Sequence, residues 1–160
     1  MIYKVTLYFL TLFLFNFAQK YFMAARTVYL IKRIETEVTA QMNRVLSDFD
    51  ITLSQFIVLN FVQDNQTDLS SAQLSRRFKM TPQSMNETVT LLQLKDLIIK
   101  NADVENKRIL RISLTEKGIK ILATCNLAID EVEKELFSTI SEAELNTFRL
   151  LIGSILQAVK

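Results

Sequence analysis

The chain has 160 residues, 49% of them hydrophobic, and a formal net charge of +2 at pH 7. This length and apolar content suit one domain with a sizeable core, and the low net charge excludes a chain-wide electrostatic attraction to nucleic acid. The chain has no histidine, two glycines and one cysteine, which exclude histidine-based catalysis, a glycine-rich phosphate loop and an intrachain disulfide. We therefore expect no enzymatic activity, catalytic residue, metal or cofactor, and a reducing, cytoplasmic compartment.

The first 23 residues form an apolar extension in which Lys4 is the one charge before Lys20. Three interpretations are open: translation starts at Met23, the segment is an added helix buried in a dimer or a partner, or it is a membrane anchor or export signal. The apolar run is short for a membrane span. Residues 17–20 are also a poor signal-peptide cleavage site, so we do not expect a membrane partner.

The next two segments have helical spacing. Residues 26–49 carry apolar side chains at three- and four-residue intervals with charged residues between them, which predicts a long amphipathic helix. The pattern breaks at residues 50–52, and Thr52 is placed to cap a second helix over residues 53–62. The predicted core positions of this second helix are Phe56, Leu59 and Phe61.

Two short helices separated by a turn are predicted after a polar loop at residues 64–67. Ser70 is a candidate N-cap for a helix over residues 71–78. The expected buried positions of this helix are Ala72, Leu74 and Phe78. Residues 79–80 interrupt the helical spacing of its apolar positions. Thr81 then caps a second helix that has Pro82 at its first position, where the missing N–H costs nothing, and that runs to about residue 95.

The second of these helices has two contrasting faces. Met85, Val89 and Leu92 recur at helical spacing and predict a buried face. Polar residues occupy the opposite face: Gln83, Ser84, Asn86, Glu87 and Thr90. Amide and hydroxyl groups near the start of a helix are the groups that read base edges in the major groove. The pattern therefore indicates a recognition helix, although an ordinary solvated helical hairpin has the same pattern.

A charged hairpin is predicted directly after the recognition helix. A short apolar run at residues 97–99 and an alternating run at residues 109–114 flank the polar residues 101–107, as two strands and a tip do. Between Asp68 and Arg111 there are eight basic and five acidic residues, so the positive charge is concentrated here. Two strands with a basic tip in this position are typical of a winged helix.

Two more helices are predicted at the C-terminus. Thr115 caps a long helix that runs to about residue 137, and Ser141 with Glu144 forms a capping box for the last helix. The apolar stripe of that last helix is too wide for a helix that lies on one domain. Cys125 falls in the middle of the predicted helix with no cation beside it, which favours core packing over oxidant sensing.

These motifs resemble the MarR family of bacterial transcription regulators. The resemblance rests on residues 69–89, on Leu-Gln-Leu-Lys-Asp-Leu at 92–97, on Asn-Lys-Arg at 106–108, and above all on Ser-Leu-Thr-Glu-Lys-Gly at 113–118. It extends over roughly residues 24–160. It implies a mainly α fold with a small β-hairpin wing, in which a winged helix-turn-helix is joined to a helical dimerisation region built from the N- and C-terminal helices.

The resemblance also implies a function. Residues 24–160 would form one domain, with 52–115 as the DNA-binding part and 24–50 plus 116–160 as dimerisation helices. The implied partners are double-stranded DNA with a near-palindromic operator, a second copy of the chain, and a small effector that releases the DNA; the sequence does not identify the effector site. The expected DNA-binding residues are Ser70, Thr81, Gln83, Ser84, Asn86, Glu87, Thr90, Lys107 and Arg108.

Three positions depart from the family pattern. Asp96 stands where the family usually has glycine, Asn106 replaces the aspartate that precedes the wing arginine, and the recognition helix carries Glu87 with no basic residue before Lys95. These departures favour an alternative function. In that alternative the winged helix has lost operator reading and serves protein contacts, with residues 1–23 as a membrane tether.

Overall fold

The computed structural model describes residues 26–64, 69–102 and 110–159. Their elements are α1 (Thr27–Ser47), α2 (Leu53–Asp64), α3 (Ser71–Arg77), α4 (Pro82–Leu94), β1 (Ile98–Ala102), β2 (Leu110–Leu114), α5 (Glu116–Leu136) and α6 (Glu142–Ala158). The mainly helical fold with one antiparallel hairpin is the predicted fold class.

The chain divides into two compact units, residues 1–40 and residues 41–160. In the first unit the described residues 26–40 form the first part of α1, and most of their side chains are exposed. The predicted domain boundary at residue 23 lies outside the described residues. The domain organisation therefore stays a prediction.

The core of the second unit draws on every element from the end of α1 to α5. Leu46, Leu74 and Leu122 have no exposed surface and come from α1, α3 and α5. Phe56 and Leu59 of α2 are buried as predicted. The third predicted core residue of α2, Phe61, is half-buried and packs edge-on against Phe78, with ring centroids 5.2 Å apart.

Side-chain caps begin five of the helices where the sequence predicted them. The hydroxyl oxygens of Thr52, Ser70, Thr81, Thr115 and Ser141 each accept a backbone N–H from the first turn of the following helix. The boundaries of the described helices differ from the predicted ones by one or two residues.

One predicted core position of α3 was wrong. Ala72 is exposed, whereas Leu74 and its neighbour Ser75 are buried. Residues two apart on a helix point to nearly opposite sides, so Ala72 cannot share the inward face with Leu74. The Ser75 hydroxyl is satisfied inside the core because it donates to the Ala72 carbonyl at 3.0 Å.

The two strands pair in an antiparallel register that runs from Ile98 opposite Leu114 to Ala102 opposite Leu110. Ile98 and Ile112 anchor the base of the hairpin in the core. The Ile112 N–H also donates to the Leu69 carbonyl at 2.9 Å. This bond attaches β2 to the segment that leads into α3, so the hairpin is held beside the helix-turn-helix.

A residue with a left-handed backbone conformation joins α4 to β1. Asp96 has φ of 58°, a conformation that glycine adopts freely and that aspartate tolerates better than most residues. The Asp96 carbonyl accepts the Thr115 hydroxyl at 2.7 Å, and the Leu97 carbonyl accepts the Thr115 N–H at 3.1 Å. These two bonds connect the end of α4 to the start of α5, so both ends of the hairpin are held in place.

The last helix is attached to α5 by few contacts. Phe148 lies 6.0 Å from Phe137 between ring centroids, and the Arg149 guanidinium donates to the Glu133 carboxylate at 2.6 Å. No residue of α6 is buried. Six large apolar side chains near its end are exposed: Leu150, Leu151, Ile152, Ile155, Leu156 and Val159.

Candidate nucleic-acid interface

Burial on one side of α4 fixes which side of the helix faces outward. Met85, Val89 and Leu92 have no exposed surface. The start of the helix is set by Thr81, whose hydroxyl oxygen accepts the Ser84 N–H at 3.1 Å, and by Pro82 in the first turn. With both its rotation and its start determined, α4 has little freedom to turn a different face to a ligand.

The opposite side of α4, which we call the outward face, contains Gln83, Asn86, Glu87 and Thr90. All four side chains are exposed, and Ser84 beside them is half-buried. The structure thus places these five predicted residues together on one helix. Within the outward face, the Gln83 amide nitrogen donates to the Glu87 carboxylate at 3.3 Å.

The capping residues Ser70 and Thr81 have a clear structural role. The Ser70 N–H donates to the Gln73 side-chain oxygen at 2.8 Å, and the Ser70 hydroxyl oxygen accepts the Gln73 N–H at 3.4 Å. This reciprocal pair forms a capping box at the start of α3. A direct contact of either cap with DNA stays a prediction. The other two predicted site residues, Lys107 and Arg108, lie outside the described residues.

Three basic side chains lie at the end of α3 and in the turn before α4. Arg76, Arg77 and Lys79 are exposed. The Arg77 guanidinium lies 4.8 Å from the centroid of the Phe61 ring, a cation–π contact that holds it in place. The sequence showed these three residues only as part of a local positive charge. The structure shows that they are exposed directly before α4 in the chain, which makes them candidates for phosphate contact.

Two leucines extend the exposed surface of α4 toward its C-terminal end. Leu91 is 49% exposed and Leu94 is 77% exposed. The sequence could not distinguish these two leucines from Leu92, because all three residues are of one type. Only the structure shows that Leu92 is fully buried and that the other two are exposed. Apolar side chains in this position can contact the methyl group of thymine or an apolar protein surface.

A cleft of about 740 Å³ lies behind α4, where the end of α4 meets the start of α5. Lys95 crosses this region: its ammonium lies 3.0 Å from the Asp50 carboxylate and also donates to the Asp50 carbonyl. The Lys117 ammonium donates to the Lys95 carbonyl at 2.7 Å. The remaining lining residues are Phe49, Ile51, Asp96, Leu97, Thr115, Glu116, Lys120, Ile121 and Thr124.

Cys125 of α5 lies in the hydrophobic core and has no exposed surface. Burial raises the pKa of its thiol, which lowers the thiolate fraction and so its reactivity. Across the parts of the chain that the structure describes, no three His, Cys, Asp or Glu side chains are grouped as a metal site. Within those same parts, no helix has the length and apolar character needed to cross a membrane.

Comparison with known proteins extends these findings. The sequence model of the MarR family matches residues 49–109, the stretch that includes α2, the helix-turn-helix and β1. Over these residues the chain is similar to the MarR family. The resemblance that the motifs at residues 69–118 indicated is therefore confirmed.

Relatives of this chain include an HTH-type transcriptional repressor of Mycobacterium tuberculosis. It is 23% identical over 127 residues, which are 79% of this chain and 91% of the relative. Among solved structures, S. aureus MepR in complex with DNA has a TM-score of 0.73 at 26% identity and covers 84% of this chain and 97% of its own. Apo MarR from E. coli has a TM-score of 0.71 at 21% identity, covers 82% of this chain and 98% of its own, and shares the fold.

Proposed function

We propose that this chain is a DNA-binding transcription regulator that acts as a homodimer on a near-palindromic operator. The observation that carries the proposal is the uncovered polar outward face of α4, held rigidly by buried residues and placed beside a β-hairpin. The names of similar proteins support it: the mycobacterial relative is a transcriptional repressor, and MepR has been crystallised with DNA. In the proposed complex α4 enters the major groove and the hairpin contacts the flanking backbone.

A second copy of the chain is the partner that the exposed apolar side chains favour. On α1, Val28, Tyr29, Ile31 and Ile34 are each at least half exposed, and on α6 no residue is buried. Apolar surface of this extent on a soluble chain marks an association site. We therefore propose that α1, α5 and α6 form the dimerisation region and that two copies present two α4 helices to successive major grooves.

Binding of the full-length chain to a labelled duplex from the region upstream of its own gene tests this function. Because phosphate contacts release counterions, we expect the affinity to fall by about a thousandfold between roughly 50 and 200 mM salt if the dimer neutralises six or more phosphates. Fluorescence anisotropy with and without random competitor DNA measures it. A folded dimer that binds no duplex at low salt would contradict the proposal.

Two variants separate base reading from backbone contact in that assay. Asn86→Ala removes an amide from the outward face. We therefore expect it to lower the ratio of the affinity for operator DNA to the affinity for random DNA by about tenfold. Arg108→Ala removes one positive charge, so we expect it to weaken binding to all sequences alike and to reduce the salt dependence. If neither variant changes binding, the site assignment is wrong.

We further propose that a small anionic ligand bound in the cleft releases the DNA. The cleft is lined by three lysines and three acidic residues, and Lys95 and Asp50 are paired with each other. Lys120 and the apolar side chains of Ile51 and Ile121 are the part of this lining that suits an aromatic carboxylate. Its lining residues span the end of α4 and the start of α5. A ligand that fits only one relative position of these elements would shift the population between DNA-binding and released dimers.

An anion and its neutral analogue test the effector proposal. We expect 4-hydroxybenzoate, but not 4-hydroxybenzamide, to lower the anisotropy of the DNA complex, because only the charged carboxylate can form an ion pair with lysine. Lys120→Gln should weaken the effect of the anion and leave DNA binding without ligand unchanged. Equal release by both compounds, or an unchanged response of the variant, would contradict an anion site at this cleft.

The exposed leucines of α4 favour a second candidate function, a winged-helix module for protein contacts. Leu91 and Leu94 leave apolar surface uncovered, and Glu87 adds a negative charge to a face that would otherwise approach phosphates. The tether proposed for this alternative, residues 1–23, lies outside the described residues. The salt titration above distinguishes the two functions, because a protein-contact module does not bind duplex DNA.

A further inference from the structure

The outward face of α4 contains one ionised side chain, and it is negative. Glu87 is exposed between Gln83 and Thr90, and its carboxylate accepts a hydrogen bond from the Gln83 amide at 3.3 Å. An ionised carboxylate offers only acceptors. Its preferred partner in a DNA groove must therefore be a hydrogen-bond donor.

Few donors are present on the edges of base pairs in the major groove. Cytosine presents its N4 amino group and adenine its N6 amino group, whereas guanine and thymine present only acceptors and a methyl group. Adenine also presents the N7 acceptor beside N6, which repels a second carboxylate oxygen. Cytosine has no such acceptor, so of the four bases it is the best match to a carboxylate.

We infer that Glu87 selects cytosine and rejects guanine at one position of each half-site, with Gln83 as the residue that positions its carboxylate. This inference rests on the proposed function, since it assigns a base preference to the same face of α4. The charge of Glu87 opposes binding to every phosphate backbone, and no basic residue between Pro82 and Leu94 offsets it within the helix. A hydrogen bond from one specific base to the carboxylate would compensate for this unfavourable charge.

The bond to Glu87 leaves Gln83 able to read a base of its own. A side-chain amide has two N–H donors and one carbonyl acceptor. Donation of one N–H to Glu87 leaves the other N–H and the carbonyl, the pair that recognises adenine. The two side chains would therefore read two different bases as one hydrogen-bonded unit.

Selection from a pool of duplexes randomised over the operator, using the full-length chain, tests the inference. The selected operator is then remade with each of the four bases at every position, and the affinities of wild type, Glu87→Gln and Glu87→Ala are compared. Because glutamine is neutral and carries a donor as well as an acceptor, we expect Glu87→Gln to change the preference at one position from cytosine to adenine. The cytosine preference of the wild type there should be about tenfold, and Glu87→Ala should abolish it.

Glu135→Gln is the matched control. Glu135 is exposed on α5, forms no ion pair with any residue that the structure describes, and loses the same charge in the variant, so the variant should leave every base preference unchanged. If the wild type selects no sequence, the proposed function fails. If the wild type selects an operator but Glu87→Gln and Glu87→Ala keep the same base with the same ratio at every position, the inference alone is overturned.

Discussion

Gly118→Ala is expected to lower the free energy of unfolding by about 3 kcal/mol, the upper end of the usual cost of overpacking. A Cβ atom at this position would lie 2.0 Å from the Leu97 carbonyl oxygen and 3.0 Å from the Leu97 carbonyl carbon. The obstacle is backbone, and that carbonyl is already held by the Thr115 N–H at 3.1 Å. To make room, α5 must move away from the junction that holds the wing. A urea titration followed by circular dichroism measures the loss as a lower midpoint.

Gly153→Ala is the control for this substitution. Gly153 is also inside a helix, but a Cβ atom there meets nothing within 4 Å. Since alanine favours the helix over glycine, we expect this variant to be neutral or stabilised by up to about 1 kcal/mol. Both variants are compared at one protein concentration because association contributes to apparent stability. Equal stability of Gly118→Ala and wild type would show that the Leu97 junction is looser than described.

A double substitution on α6, Leu151→Glu with Ile155→Glu, is expected to convert the dimer into a monomer and to weaken operator binding by about a hundredfold or more. Leu151 is 58% exposed and Ile155 is 53% exposed, so the single chain loses little packing. In a dimer the same positions would bury four carboxylates, which is costly without partners. Sedimentation velocity gives the association state, and anisotropy gives the affinity.

Asn146→Asp with Gln157→Glu controls for the added charge. It adds two carboxylates to the same helix, at exposed polar positions, and should leave both the dimer and its DNA affinity in place. A Leu151→Glu, Ile155→Glu variant that remains dimeric would exclude this surface of α6 from the dimer interface. A monomer that retains full operator affinity would overturn the two-helix model of DNA reading.

The Leu151→Glu, Ile155→Glu variant and Glu87→Gln are expected to change different quantities. The loss of a dimer removes one of two linked α4 helices, and so lowers the affinity for specific and non-specific DNA together. The change at Glu87 alters the ranking of bases within a half-site. Comparison of the two therefore separates how tightly the chain binds DNA from which DNA it selects.

Much of the helix-turn-helix could be predicted from the sequence because its signals are local. A cap such as Thr81 bonds to a backbone N–H three residues away, and the buried face of α4 repeats every three or four residues. Such short-range patterns are determined by the backbone geometry of a helix and need no knowledge of the rest of the chain. The same locality identified the outward face, since it is the side opposite Met85 and Val89.

The tertiary structure alone decided the features that join distant segments. The need for glycine at position 118 comes from the Leu97 carbonyl, and the cleft depends on Lys95 reaching Asp50, which lies 45 residues earlier. Burial of Leu92 and exposure of Leu94 follow from what packs against α4, not from residue type. The sequence by itself therefore determined the helices, the hairpin and the resemblance to the MarR family, because these depend on neighbours along the chain. Their junctions and uncovered surfaces depend on neighbours in space, which only the folded chain brings together.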